Sequence, residues 1–436
     1  MTATATRERS PLLRRDFALV WTAGLVSDTG DWLLMIALPL FALSATGSAL
    51  GASTVFLVEL VPMLLVGSFL GVLVDRWDHR RTIIIVALLQ GLLLLPLLAA
   101  SADRMGIVYA VAAVEAVLGA IINPARQAMI PQLVGTDQLA RGNALIAVSD
   151  SLARLIGSPL GGLSFALWGL PGVVIADAAS YLITAGLVLF VRPRPRKADA
   201  APATDGESAA DGEPAAVAER RILHEWVEGL ALLARSATLR TLAGIAALAG
   251  VAQGLFLVLF LVYVTQNIGA GDTGAGIIRG VQAIGGVLGG LVTGALARRM
   301  APRWMIGVGY LVFGTLSLVT WNLAPFTTAL WVYAGLFIAM GIPGVTTATG
   351  EITLVQTTVP ARALGRVIAA VTTLDGAAQA VGLLIGGLLA DSGDIVPVLD
   401  VQASLYLLCG LIGIVALRDR RGLTGSGAGT DRTRLT

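Results

Sequence analysis

Six carboxylic acids stand inside otherwise apolar stretches of the chain: Asp31, Glu59, Glu115, Asp150, Asp177 and Asp375. An ionised side chain at the centre of a bilayer costs roughly 2.5–3.5 kcal/mol on insertion scales. An apolar setting also favours the neutral form of a carboxyl, so such a group can hold a proton in one environment and release it in another. A carboxyl whose access alternates between two faces of a membrane is therefore a proton carrier. Asp31 and Glu59 have no basic neighbour in sequence and lead the set, Glu59 slightly ahead. Glu115 and Asp177 complete the expected proton-coupling and substrate-cavity group. A carboxyl hydrogen-bonded between packed helices is the plainer account of each. Asp150 and Arg154 lie one helical turn apart and are expected to satisfy one another as a structural or gating pair. Five of the six acids fall in the first half of the chain, and Gln282 stands near the place corresponding to Glu59. Proton handling is therefore expected in the first half, with the second half supplying a mainly apolar wall.

Composition fixes the elements that must position these groups. Of 436 residues, 56% are hydrophobic and only 13% are charged. A soluble domain carries about 25% charged residues. No charged side chain occurs from Trp32 to Val58, from Thr82 to Ala102, or from Trp304 to Gly350. The last run is too long for one span, and Asn322-Leu-Ala-Pro325 breaks it. Twelve helices result, over about 17–43, 50–74, 82–101, 105–125, 142–168, 172–191, 238–266, 274–297, 304–321, 326–350, 365–390 and 400–417. The fold class expected is all-α and integral to the membrane, as two pseudo-symmetric six-helix bundles. With one cysteine, Cys409, and two histidines, neither a Cys-based metal cage nor a multi-His site can be built. There is no nucleophile constellation and no phosphate-binding Gly-Lys-Ser/Thr loop. An enzyme, a metal cofactor and a nucleic-acid partner are not expected; the energy source must be a gradient.

Nearly all Lys and Arg residues fall on one side of this map, among them Arg14, Arg15, Arg80, Arg81, Arg299 and Arg420. That side is cytoplasmic by the positive-inside rule, which puts both termini in the cytoplasm of a multi-pass inner-membrane protein. Arg279, near the outer end of the eighth span, is expected to snorkel to the headgroups, the alternative being that it holds an anionic cargo group or an acid across the cavity. Asn123-Pro-Ala-Arg126 is expected to end the fourth span and to offer Arg126 to Asp75 or Glu351. Residues 192–219 read as a disordered linker, followed by an amphipathic helix on the membrane face. The division is then 1–191 as a first bundle, 192–237 as a cytoplasmic linker, 238–417 as a second bundle and 418–436 as a tail.

The halves repeat. An offset of about 225 residues sets Arg141 on Arg366, Asp150 on Asp375, Gly157 on Gly382 and Gly161 on Gly386. A slightly smaller offset sets Gly67 and Gly71 on Gly290 and Gly294. Two homologous six-span halves imply rocking about a midplane cavity. The glycine pairs 157/161 and 382/386 are expected to pack helices closely at the interface between the halves.

The loop after the second span reads Gly71-Val-Leu-Val-Asp75-Arg76-Trp-Asp78-His79-Arg80-Arg81. Asp75 can face a helix N-terminus, and the arginines can pair with carboxylates at other helix ends, locking an inner gate. With its echo, residues 294–303, and the six-plus-six plan, this loop resembles the major facilitator superfamily over nearly the whole chain. The segments SDTGDWLLMIALPLFALSATGSAL, NPARQAMIPQLV and ARLIGSPLGGL resemble its drug:proton antiporters, in the branch of macrolide-efflux and siderophore-exporter proteins. The resemblance implies gate roles for Asp75, Arg76, Arg80 and Arg81; Gly71, which allows close helix approach, and Arg126, Asp150 and Arg154 are expected to join them. Asp78 replaces the superfamily's common Gly, and Gly157-Ser-Pro159-Leu-Gly161-Gly162 displaces by one the proline of the antiporter signature. The function expected is proton-coupled export of an amphipathic small molecule by a monomer in contact with lipid. A dedicated siderophore or antibiotic exporter, a lipid transporter and a non-transporting sensor are the rivals.

Overall fold

The computed structural model describes residues 14–74, 77–135, 138–192, 231–234, 236–296, 299–391 and 393–417. Among them the regular structure is helical: Arg15–Thr46 (α1), Ala49–Val74 (α2), His79–Leu93 (α3, prolonged by a 3-10 turn, Leu95–Ala99), Met105–Val134 (α4) and a long segment, Leu139–Leu189. After the linker come Ala237–Val262 (α7), Gly271–Leu296 (α8), Pro302–Trp321 (α9), Leu330–Thr358 (α10), Ala361–Ala390 (α11) and Val396–Ala416 (α12).

The segment Leu139–Leu189 holds 51 residues. At about 1.5 Å per residue it is far longer than one bilayer crossing. It breaks at Gly169, whose φ of 64° and ψ of −164° suit glycine alone, two residues before Pro171. Residues 139–168 (α5) and 170–189 (α6) are thus separate crossings, and the total among the described residues is twelve. Elsewhere the caps follow local chemistry. The Asp78 carboxylate accepts the Arg81 amide at 2.7 Å and starts α3, and Gly47 (φ 66°) ends α1.

Two expected ends lie elsewhere. α4 runs through Pro124 and Pro131 to Val134 and stops at Gly135 (φ 77°). A proline inside a membrane helix removes one hydrogen bond, which its neighbours offset, so Arg126 sits within the helix. α10 likewise continues past Glu351 to Thr358. Large apolar side chains such as Leu92, Leu182, Leu291 and Val415 stand exposed on the perimeter, as lipid contact requires.

The glycine pairs pack each half internally. A Cβ on Gly157 would strike the Thr29 carbonyl and lie 2.8 Å from the Trp32 Cβ; one on Gly161 would lie 2.9 Å from the Leu33 Cα. In the other half, Gly382 faces the Val251 carbonyl and Gly386 faces Leu255. These glycines therefore join α5 to α1 and α11 to α7, and do not form the interface between halves expected above. That interface uses a neighbouring face of α5 and α11, where different small residues allow approach. Gly162 meets Asp272, Gly276 meets Ser158, and Gly280 meets Pro159, joining α5 to α8. Gly387 meets Leu50 and Ser53, and the Ser53 hydroxyl donates to the Leu383 carbonyl at 2.6 Å, joining α2 to α11. The Asp391 carboxylate closes that seam by accepting from the Ser48 hydroxyl (2.5 Å) and the Ala49 amide (2.8 Å) at the first turn of α2. These contacts concentrate toward the face of the α1–α2 turn, opposite the face where α1 begins and α12 ends.

Candidate functional site: a carboxyl-lined cavity between the halves

A central cavity of about 730 Å³ lies between the two halves. It reaches Asn123, Pro124 and Gln127 on α4 and Ala369 and Thr372 on α11, so it opens toward the face of the described chain ends. The first half contributes Asp31, Glu59, Glu115, Gln90 and Tyr181; the second contributes Leu257, Thr373, Gln379 and Leu383, without a carboxyl. Asp177 does not line it. Asp177 is fully buried behind the wall, where one carboxyl oxygen accepts from the Ser180 hydroxyl at 3.1 Å and the other has no partner.

Asp31 and Glu115 are tied by a residue that lies outside the sequence-expected set. The Tyr181 hydroxyl lies 2.6 Å from Asp31 Oδ1 and 2.5 Å from Glu115 Oε1. Gln90 Nε2 donates to the same Glu115 oxygen at 2.5 Å and reaches the Tyr181 oxygen at 3.3 Å. A phenol carries one proton and can donate it once. The one phenolic proton therefore serves at most one of these two carboxyl oxygens fully at a time. Tyr181 and Gln90 are buried, 1% and 2% exposed. The available signal was the position of Tyr181 one turn beyond Asp177, facing the same way.

Nearer the face of the chain ends, Arg126 pairs with Asp28 at 2.8 Å and donates to Asn123 Oδ1 at 3.2 Å. Among the described residues the partner is thus Asp28 and not Glu351, which accepts from Tyr310. Asp28 sits three residues before Asp31, which puts both on one face of α1. Asp150 shares a small cleft with Asp28 and Arg126. Arg80 donates to the Val188 (3.3 Å) and Leu189 (2.7 Å) carbonyls at the end of α6, while the Arg81 amide belongs to the Asp78 cap. Gly71 lies within α2. Asp75 and Arg76, the linker 193–230 and the tail 418–436 lie outside the described residues; at 231–234 the chain is helical, and Leu233 packs into the second half.

Two arginines depart from expectation. Arg154 does not turn to Asp150; its guanidinium donates to Gln282 Oε1 across the interface and lies over the Trp32 ring at 4.9 Å. Arg279 does not snorkel. It is only 7% exposed, donates to the same Gln282 oxygen at 3.2 Å and stacks over Phe256 at 5.0 Å. In the second half Glu351 accepts from Tyr310 at 2.8 Å, Tyr310 stacks on Tyr406, and the Tyr406 hydroxyl donates to Gln253 at 3.3 Å.

Twelve crossings in two repeated bundles, closed at one face around a central cavity, define a multi-pass membrane transporter. The profile of the Major Facilitator Superfamily matches residues 20–247 and again 242–434, and the chain belongs to that family. It is 28% identical over 425 residues to the multidrug efflux pump Tap of Mycolicibacterium fortuitum, covering 95% of this chain and 97% of that one. It is 22% identical to the macrolide efflux protein A of Streptococcus pyogenes, covering 86% and 89%. Among solved structures, a bacterial homologue of the iron transporter ferroportin in its inward-facing state superposes with a TM-score of 0.70 at 18% identity, covering 92% and 98%. The chain is a transporter of small molecules and not an enzyme.

Proposed function

We propose that this protein exports amphipathic small molecules across the cytoplasmic membrane by proton antiport and alternating access, both termini being cytoplasmic and one chain sufficing. The observation that carries this reading is the set of three carboxyls, Asp31, Glu59 and Glu115, facing one large cavity, two of them joined through the Tyr181 hydroxyl. The relatives with efflux in their names support the direction and the cargo class. In this scheme protons arriving from outside neutralise the cavity acids and favour the state open to the cytoplasm. Cargo entering from the cytoplasm displaces them and favours the return. The bundles 1–191 and 238–417 rock as units, with 192–237 as a slack connection. Asp28, Arg126 and Asp150, with Gly71, Asp75, Arg76, Arg80 and Arg81, make the charged inner gate that closes when the cavity faces outward.

In proteoliposomes with an imposed pH gradient, Glu59→Gln abolishes uphill accumulation of tetramethylrhodamine methyl ester while leaving downhill exchange. Undiminished uphill accumulation removes Glu59 from the mechanism. Orientation is checked separately: thiols placed by Asp205→Cys and Asp103→Cys, in a Cys409→Ser background, react with impermeant maleimide from opposite sides.

A further inference from the structure

The proposed mechanism leaves two buried cations unused. Arg154 from the first half and Arg279 from the second meet at one neutral acceptor, Gln282 Oε1. Among the described residues neither of these guanidiniums is paired with a carboxylate; each finds only the Gln282 amide oxygen. A guanidinium offers five donors in a planar fork. Here one amide oxygen serves two of them, and the buried Arg154 Nε has no partner at all. Burying an unpaired charge is costly, and two like charges at one acceptor add to that cost. Each guanidinium is backed by an aromatic face, Trp32 or Phe256, which holds its plane but leaves its edge donors free. A small void beside Arg279 shares Met35, Phe56 and Leu257 with the wall of the central cavity. Side chains that include the adaptable Met35 thus separate Arg279 from the cargo space, and Arg154 meets Arg279 at the Gln282 oxygen.

We infer that Arg154 and Arg279 form an oxyanion subsite straddling the two halves, which takes the carboxylate of a zwitterionic amphipathic cargo whose basic nitrogen faces the cavity acids. The inference rests on the export reading above and names the cargo class. A purely anionic cargo would be repelled by Asp31, Glu59 and Glu115 once these release their protons. A purely cationic one would leave the guanidinium donors unfilled. A zwitterion satisfies both poles, and its carboxylate would bridge Arg154 on one half to Arg279 on the other, coupling occupancy to closure of that seam.

The test uses the full chain in nanodiscs and two dyes that differ in a single group: tetramethylrhodamine, with a free carboxylate, and its methyl ester. Fluorescence polarisation of the wild type is expected to give a Kd about tenfold lower for the free acid, the worth of one charge-assisted hydrogen bond. Arg279→Gln and Arg154→Gln each erase that preference and leave ester binding unchanged, and Arg279→Lys retains part of it. Equal binding of the two dyes by the wild type overturns the subsite while the export reading stands, and needs no variant to fold. A preference that persists in both Gln variants overturns it as well. Binding of neither dye counts against the subsite and the export reading together.

Discussion

The two halves share a scaffold and differ in what they mount on it. An offset of about 225 residues relates Gly157 and Gly161 to Gly382 and Gly386, and each pair seats α5 on α1 or α11 on α7 in the same way. The same offset relates Asp28 to Gln253, Arg126 to Glu351 and Tyr181 to Tyr406. The first half thus carries an ion pair where the second carries an acid held by Tyr310 and an amide held by Tyr406. The Tyr181 hydroxyl joins two carboxyls, whereas its counterpart touches a neutral Gln. At the slightly smaller offset, Phe56 and Glu59 of α2 correspond to Arg279 and Gln282 of α8. Duplication preserved the helix contacts, which depend on the absence of a side chain, and let the polar groups diverge. One half became acidic at the cavity, and the other became neutral or cationic.

This contrast can be broken at three levels. The largest effect is expected at the ion pair. Arg126→Gln leaves Asp28 mostly buried and unpaired, a loss of about 3 kcal/mol, read as a marked fall in melting temperature and in monodisperse yield. Glu351→Gln, at the corresponding site, replaces one acceptor with another for Tyr310 and costs about 1 kcal/mol. Equal losses would mean that the two sites are equivalent after all.

The glycines sharpen the comparison at the next level. An Ala at position 161 would press its Cβ against the Leu33 backbone at 2.9 Å, whereas one at 386 meets the Leu255 Cα at an ordinary 3.4 Å. Gly161→Ala is therefore expected to destabilise by about 1–3 kcal/mol and Gly386→Ala to be close to neutral, as checked by thermal unfolding in detergent. The smallest effect belongs to the seam. Asp391→Asn weakens a cap reaching from one half to the first turn of α2 by about 1 kcal/mol. It is expected to speed labelling of a cysteine placed by Leu50→Cys from that face, without loss of folded protein.

The fold was legible in the chain because charge-free runs of about twenty residues and a glycine repeat are strong signals. Helix ends were less so: Pro124 and Glu351 read as boundaries, yet membrane helices tolerate the one and carry the other. The acids Asp31, Glu59 and Glu115 were visible because an acid in an apolar run is conspicuous. Asp28, Tyr181 and Gln90 were not, since a partner supplied by another helix leaves no mark at its own position. Arg154 was visible but paired wrongly with Asp150 for the same reason: the amide it meets, Gln282, lies on α8 across the interface, and for Arg279 the first expectation, snorkelling, gave way to burial beside that same amide.

The central claim is that the first half alone handles the proton. The most direct measurement is uphill accumulation of tetramethylrhodamine methyl ester in proteoliposomes under an imposed pH gradient, comparing two combined variants. Asp31→Asn with Glu59→Gln and Glu115→Gln is predicted to abolish accumulation while preserving exchange, and Glu351→Gln with Asp375→Asn is predicted to leave it near the wild-type rate. Full-rate accumulation by the triple variant, or its loss in the double variant alone, contradicts the account.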